Sequence, residues 1–461
     1  YTFSLGTNKK SRMKIVLIGV GEVGFHLAKA LSEDGHDITA VDINPEKCRR
    51  ITEHLDAIEV EGNGASPKTL HKARVEDADY VLCLTRIDEV NLIAAQQAHE
   101  LGAKHIIARL RNQQYSDRDS IIKPEKFGVD LVIHPEREAC QEIVRLVRHP
   151  YATQVMDFED GRLQMLGIRL EKGCSQIIGK TVREICEQTE NYKFGIIAVL
   201  RNTETTVPWS DFKFQDGDIV YFIIRTEHVN QLITLLGKTT EYSKRVMIIG
   251  GSKIGRSLAE TLQEDMNVRL VEGNREKAEH IANHLDNIMV INADGTDIEF
   301  LQSENVHEID NFITVTENEQ TNILSGLLAH HFGVKQAIIH VSNTEFLPII
   351  QELGIGPIIS KNMSTVNTIL RKIRSDISDT SVFTFDEIDV DVIELQPDPG
   401  SRVTLMELSE LSFPKGSIVG VINHHGHLSI ARGSSRLTAE DTALVFAKND
   451  AFNAVRKLFR A

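Results

Sequence analysis

No apolar run in this chain approaches the roughly 20 residues that span a bilayer, and the first twelve residues, Tyr1 to Arg12, have no apolar core of the signal-peptide kind. They read as an N-terminal extension or an appended remnant ahead of Met13. Cysteine is scarce: Cys48, Cys83, Cys140, Cys174 and Cys186 are odd in number, confined to the first half and never at metal-ligand spacing. That gives no basis for a disulfide framework or a cysteine zinc site, and it fits the cytoplasm. Positive charge is in deficit, with 51 Lys and Arg against 66 Asp and Glu for a net −15. This argues against a nucleic-acid partner or direct membrane insertion, since such surfaces need clustered Lys and Arg or long apolar spans. No Gly-x-Ser-x-Gly elbow, His-Glu-x-x-His pair or Gly-Lys-Ser phosphate loop is present, so no catalytic residues are visible and the expectation is a non-enzyme. The single tryptophan, Trp209, follows Pro208 and reads as packing.

What is present is one pattern stated twice. Gly19-Val20-Gly21-Glu22-Val23-Gly24 follows an apolar run, and Gly250-Gly251-Ser252-Lys253-Ile254-Gly255 returns 231 residues later. The register holds along the unit: Asp42 answers Glu272, the Gly62-Asn-Gly turn answers Ala293-Asp-Gly, and Asn91 answers Asn322. Lys14–Ile18 is β-branched and apolar, as a buried parallel strand requires, and Phe25–Leu31 continues with helical spacing. The glycines therefore sit at a strand-to-helix turn. Gly19 permits the tight turn, Gly21 lets backbone approach a pyrophosphate, and Gly24 allows close helix packing. The run Asp37–Val41 delivers Asp42 where a carboxylate accepts from ribose hydroxyls, which disfavours a 2′-phosphate. In the second copy Ser252 replaces the middle glycine and places a side chain at the closest phosphate approach.

The 461 residues suffice for about three to four domains. Alternating strand and helix patterns over 13–150 predict a doubly wound parallel sheet, and short alternating strands over 151–236 predict a small α+β domain. The order repeats, with a second doubly wound unit over 244–375, closed by a helix near Ser364–Ile373, and a second small domain over 380–461. The fold class is therefore α/β, with tandem Rossmann-like sheets each followed by a small α+β domain.

Thr85 ends a strand at the carboxyl edge, where open α/β sheets bind ligands. It suits a ribose or phosphate contact and a strand-end turn equally. Arg109 and Arg111 end the next strand and can reach phosphates as a fork, whereas His340 stands opposite Arg109 in the second copy. His330-His331 and His424-His425-Gly-His427 lack companion ligands at metal spacing and read as a helix face and a hairpin turn.

The order of the four domains, with Gly-Val-Gly-Glu-Val-Gly24, Asp42, the Gly62 turn and Thr-x-x-Asp-Glu-x-Asn91, closely resembles the Trk-type potassium uptake regulators, the TrkA family. The resemblance covers residues 13 to 461. It implies that the doubly wound units are regulator-of-potassium-conductance (RCK) domains binding NAD(H) or the adenine nucleotides ATP and ADP. It implies contacts from Gly19 to Val23, Asp42, Thr85, Arg86 and Arg109, and from Gly250 to Ile254 and Glu272. It also implies a tetramer whose eight doubly wound units form a ring, peripheral on the inner face of the membrane, gating a membrane potassium-translocating subunit of the Trk/Ktr type. A dehydrogenase on the same fold and a nucleotide sensor for a different membrane transporter are the rival readings.

Overall fold

A computed structural model describes residues 12–460 apart from 116–119, 160, 172, 189–193, 203, 239–243, 348–349, 351–352, 378–381, 385–387 and 449. The expected N-terminal extension lies, up to residue 11, outside the described residues. The strands of the first unit are β1 (Lys14–Ile18), β2 (Asp37–Asp42), β3 (Ala57–Glu61), β4 (Tyr80–Cys83), β5 (His105–Arg109) and β6 (Leu131–Ile133). They form a sheet in the order β3-β2-β1-β4-β5-β6, with parallel pairing such as Ile15↔Ile38 and Ile15↔Tyr80. The order reverses between β1 and β4, so a crevice opens at their carboxyl ends, directly above the glycine turn.

The second unit repeats this with β12 (Arg245–Ile249), β13 (Asn267–Glu272), β14 (Met289–Asn292), β15 (Asn311–Thr314), β16 (Gln336–His340) and β17 (Ile358–Ile359), in the equivalent order β14-β13-β12-β15-β16-β17. Each unit is followed by a five-stranded antiparallel sheet. The first contains β7 (Gln154–Phe158), β8 (Leu163–Arg169), β9 (Phe194–Arg201), β10 (Glu204–Thr206) and β11 (Ile219–Arg225) in the order β10-β9-β11-β8-β7. The second contains β18 (Val382–Thr384), β19 (Asp391–Leu395), β20 (Ser417–His424), β21 (His427–Ile430) and β22 (Asp441–Ala447) in the order β18-β19-β22-β20-β21, the same topology read from the other edge.

Two helices exchange places. The helix Pro135–Arg148, which follows β6 of the first unit, buries Ala139, Cys140, Ile143, Leu146 and Val147 against Val246, Ile248, Leu258 and Leu262 of the second. The helix Lys361–Ile377, expected from the sequence to close the second unit, instead inserts Val366, Ile369, Leu370 and Ile373 among Ile15, Leu17 and Leu27 of the first. An apolar stripe states that a helix must be covered, but it carries no information about which of two similar sheets covers it. Burying an Ile or Leu stabilises by roughly 1.5–3 kcal/mol, so these crossings tie the two units into one body. The small domains also share a core, in which Met165, Ile197, Tyr221 and Ile223 of the first pack with Val392, Val421, Leu444 and Phe446 of the second.

Candidate functional site

At the end of β1, Gly19 adopts φ +95° and donates its N–H to the Val41 carbonyl at 2.8 Å. A side chain there would press on the Leu84–Thr85 backbone, and one at Gly24 would collide with the Gly19 carbonyl oxygen. Gly21 differs: a Cβ added to it meets nothing within 4 Å, so the loop is open at that point. The helix Glu22–Glu33 begins at Gly21 without a side-chain cap, leaving first-turn N–H groups for an anion. Asp42 fixes the loop from β2. Its Oδ2 accepts from Val20 N–H and its Oδ1 from Asn44 N–H, both at 2.9 Å, with lone pairs left for ribose hydroxyls. Val20 and Val23 are buried in the core, so they offer a ligand only backbone. Glu22 turns away from the cleft: its carboxylate accepts from Thr344 N–H at 3.0 Å and from Asn362 Nδ2 at 2.7 Å, both in the second half of the chain.

The opposite rim is held by Asn91, which is fully buried. Its Oδ1 accepts from the Thr85 N–H at 2.9 Å and hydroxyl at 2.6 Å, and its Nδ2 donates to the carbonyls of Thr85 at 3.0 Å and Arg109 at 2.7 Å. One side chain thereby clasps the ends of β4 and β5, and the Thr85 hydroxyl is engaged in that turn. Sequence reading used Asn91 as a register mark and as part of the family motif, without assigning it a role; the signal it offered was an amide six residues beyond a strand-end threonine. Asp88 of the same motif, given no binding role from sequence, accepts the Arg111 and Asn112 N–H groups at 2.8–3.0 Å and shapes the loop beyond β5. Arg109 is half-buried, and its Nε is enclosed with no hydrogen-bond partner. Burial lowers its pKa, opposed by Glu136 and assisted by Arg111 and Arg86, yet a guanidinium stays charged. A half-buried cation with an unused, enclosed N–H is a group suited to an anion. Arg86 is exposed beside Thr85, and the Arg111 guanidinium lies 3.8 Å from Glu136.

The second copy has the same frame and different charges. Gly250 has φ +108°, and Asn322 clasps Thr316 and the His340 carbonyl at 2.7–3.1 Å. Burial raises the Glu272 pKa, but hydrogen bonds from Asn274 N–H and Lys277, aided by Gly251 N–H, outweigh it and the net shift is downward. A cavity of about 500 Å³ opens here, lined in part by Gly250, Ser252, Glu272, Lys277, Asp294 and Glu317. Ile254 is buried in the core. Ser252 caps its helix by accepting from Gly255 N–H at 3.2 Å, taking a donor that is free in the first copy. Lys253 reaches across to the Arg111 carbonyl at 3.4 Å. Glu317 stands where the first copy has Arg86, and His340, pushed down to about 4 by burial and by Lys361, is neutral where the first copy has Arg109. Three carboxylates therefore face one ammonium group. The second unit thus offers a cavity with a carboxylate-rich lining and the first the better phosphate chemistry, because charge with free N–H groups decides for a phosphate.

The neutral His340 makes stability depend on pH. Between its ordinary value of 6.5 and about 4, the unfolded chain takes up a proton that the folded chain refuses, so acidification destabilises. Linkage gives about 2 kcal/mol lost between pH 7 and pH 5. Urea unfolding at those two pH values should show a smaller loss in His340→Leu than in the parent chain; equal losses would remove His340 as the titrating group.

Among known proteins, the TrkA-N domain family matches residues 15–135 and 246–361 and the TrkA-C domain family residues 165–237. The Trk system potassium uptake protein TrkA homolog of Archaeoglobus fulgidus is 32% identical over 449 residues, covering 97% of this chain and 100% of that protein. The Trk system potassium uptake protein TrkA of Vibrio alginolyticus is 28% identical over 453 residues, covering 97% and 99%. Two solved structures share the fold at 16% identity: the GsuK channel bound to NAD, with TM-score 0.61 over 100% of this chain and 81% of that one, and the GsuK RCK domain, with TM-score 0.60 over 100% and 97%. The repeated glycine turns, the two doubly wound sheets with their small domains, and relatedness along nearly the whole length place this chain in the TrkA family.

Proposed function

We propose that the chain is the nucleotide-binding regulatory subunit of a potassium uptake system, non-enzymatic, with NAD(H), ATP or ADP bound at the first glycine turn. The observation that carries the ligand is the pairing of an uncapped helix start at Gly21 with a half-buried Arg109 whose enclosed Nε has no partner. Both suit a phosphate, and Asp42 suits a ribose with a free 2′-hydroxyl. The contacts are assigned to Gly19 through Gly24, with Val20, Glu22 and Val23 acting through backbone alone, and to Asp42, Arg86 and Arg109, with Thr85 contributing through the turn it anchors. In the second unit Gly250 through Ile254 and Glu272 form a cleft less suited to phosphate.

Potassium and the membrane partner, a translocating subunit of the Trk/Ktr type, come from the family, whose curated members carry potassium uptake in their names. No helix among the described residues is long and apolar enough to cross a membrane; the cytoplasmic position, docked on the inner face, is taken from the family. In a tetramer eight doubly wound units would form a ring; Ile93 and Leu324, each 48% exposed at equivalent positions of the two units, suit its contacts. Glu22 supplies the coupling, because it begins the phosphate-facing helix while gripping Thr344 and Asn362 of the other unit. A ligand shifts such an arrangement only through unequal affinity for its two states. A tenfold preference is worth about 1.4 kcal/mol, and four sites acting together supply roughly 5.5 kcal/mol, enough to reverse a 1:99 population.

Calorimetric titration of NAD, NADH, ATP and ADP into the full chain tests this reading. Asp42→Ala should lose most of the binding and Glu272→Ala should retain it. Absence of binding by all four ligands would overturn the proposal, and steady NADH consumption with small carbonyl compounds would favour a dehydrogenase.

A further inference from the structure

The hairpin joining β20 and β21 carries His424, His425 and His427. Its two turn residues, His425 at φ +49° and Gly426 at φ +87°, are both left-handed, as a tight two-residue hairpin requires. The side chains of His424, His425 and Glu440 converge there, one donor atom of each lying within 4.8 Å of the others. The His425 Nε2 is 3.1 Å from the Glu440 carboxylate. His424 is oriented from behind, its Nδ1 lying 2.6 Å from the carboxylate of Asp441. Asp441 is itself buried and accepts from the Thr438 N–H at 2.6 Å and hydroxyl at 2.9 Å. A carboxylate at Nδ1 favours the tautomer that leaves the Nε2 lone pair for a metal, the arrangement that orients metal-ligating histidines.

We propose that His424, His425 and Glu440 form a binding site for a divalent transition-metal ion of the zinc class. Two imidazoles with one carboxylate suit such borderline ions, whereas calcium and magnesium take oxygen ligands. Solvent fills the remaining coordination. The ligands come from the hairpin and from the residue preceding β22, so a bound ion staples the two. The hairpin tip also touches the first small domain, where the Gly426 carbonyl accepts from Arg162 Nη1 at 3.0 Å, so the staple stiffens a contact between the two small domains. His427, across the hairpin from His424, is not one of the three converging groups.

The test is titration of the full chain with Co²⁺, followed by its visible ligand-field absorption, with Zn²⁺ as competitor. One Co²⁺ per chain, displaced by Zn²⁺ and indifferent to Mg²⁺, is the expected result. His424→Ala, His425→Asn and Glu440→Gln should each weaken binding at least about tenfold, and Asp441→Asn by about ten- to a hundredfold through loss of orientation. Asparagine tolerates the left-handed turn, so loss in His425→Asn reports the ligand rather than misfolding. His280→Ala, in the stacked His280/His284 pair, should leave the spectrum unchanged. No stoichiometric binding, binding undiminished in the Glu440→Gln/His425→Asn double variant, or loss on His280→Ala would each overturn the site.

Discussion

Asn91→Ala is expected to lower the stability of the first doubly wound unit by about 3–5 kcal/mol, since each buried polar group left unpaired costs about 1–3 kcal/mol and four hydrogen bonds meet on this amide. The same change should weaken nucleotide binding, because the Asn91 clasp fixes both Thr85 and the end of β5 that carries Arg109. Asn322→Ala should cost a similar amount in the second unit, where the partners are Thr316 and His340, while leaving nucleotide affinity nearly intact. Denaturant unfolding together with calorimetry on both variants separates these effects. Asn91→Asp sharpens the test: it keeps the shape but sets a carboxylate oxygen against two carbonyls, and it should be no more stable than alanine. Parent-like stability in Asn91→Asp would remove the clasp as the reason for burying an amide there.

Arg109→Met should weaken the phosphate-bearing nucleotides about 10- to 100-fold, the range of a hydrogen bond to a charged group converted to affinity, while adenosine binding stays unchanged. Methionine keeps much of the buried volume and removes the charge, so stability should be little altered or slightly improved. Placing the cation in the other unit, by His340→Arg, should not create equivalent binding, because Ser252 still caps its helix and Glu317 and Asp294 remain in the cleft. Equal losses for adenosine and ADP in Arg109→Met would show that Arg109 supports the loop rather than the phosphate.

Much of the architecture was legible because it rests on short-range rules. The glycine turns had to sit between strand and helix, since a β-branched run precedes each and a helical apolar stripe follows. Asp42 and Glu272 had to end the second strand of each unit, and both do, each bonded to its own glycine loop. The likeness of the two units was carried by a register that survives divergence at individual positions. Less legible were the residues whose meaning depends on what lies opposite them. Glu22 and Lys253 occupy matching positions in the two motifs, yet each reaches across to the other unit, and no local pattern announces that. The histidines of the second small domain read from spacing as a turn. Only the chain returning at Glu440 and Asp441 gives His424 and His425 their carboxylate partners.

The sequence by itself determined the order of strands and helices, the positions of the glycine turns and the acid at the end of each second strand. These follow from backbone conformation and hydrophobic periodicity, which act over a few residues. The tertiary structure decided which sheet each crossing helix covers, because two similar apolar faces compete for two similar stripes. It also decided that His340 is buried and neutral while Arg109 remains a half-buried cation, and that Ser252 closes a helix start which Gly21 leaves open. Burial and distant partners set charge and hydrogen-bond satisfaction, and those quantities exist only once the chain has folded.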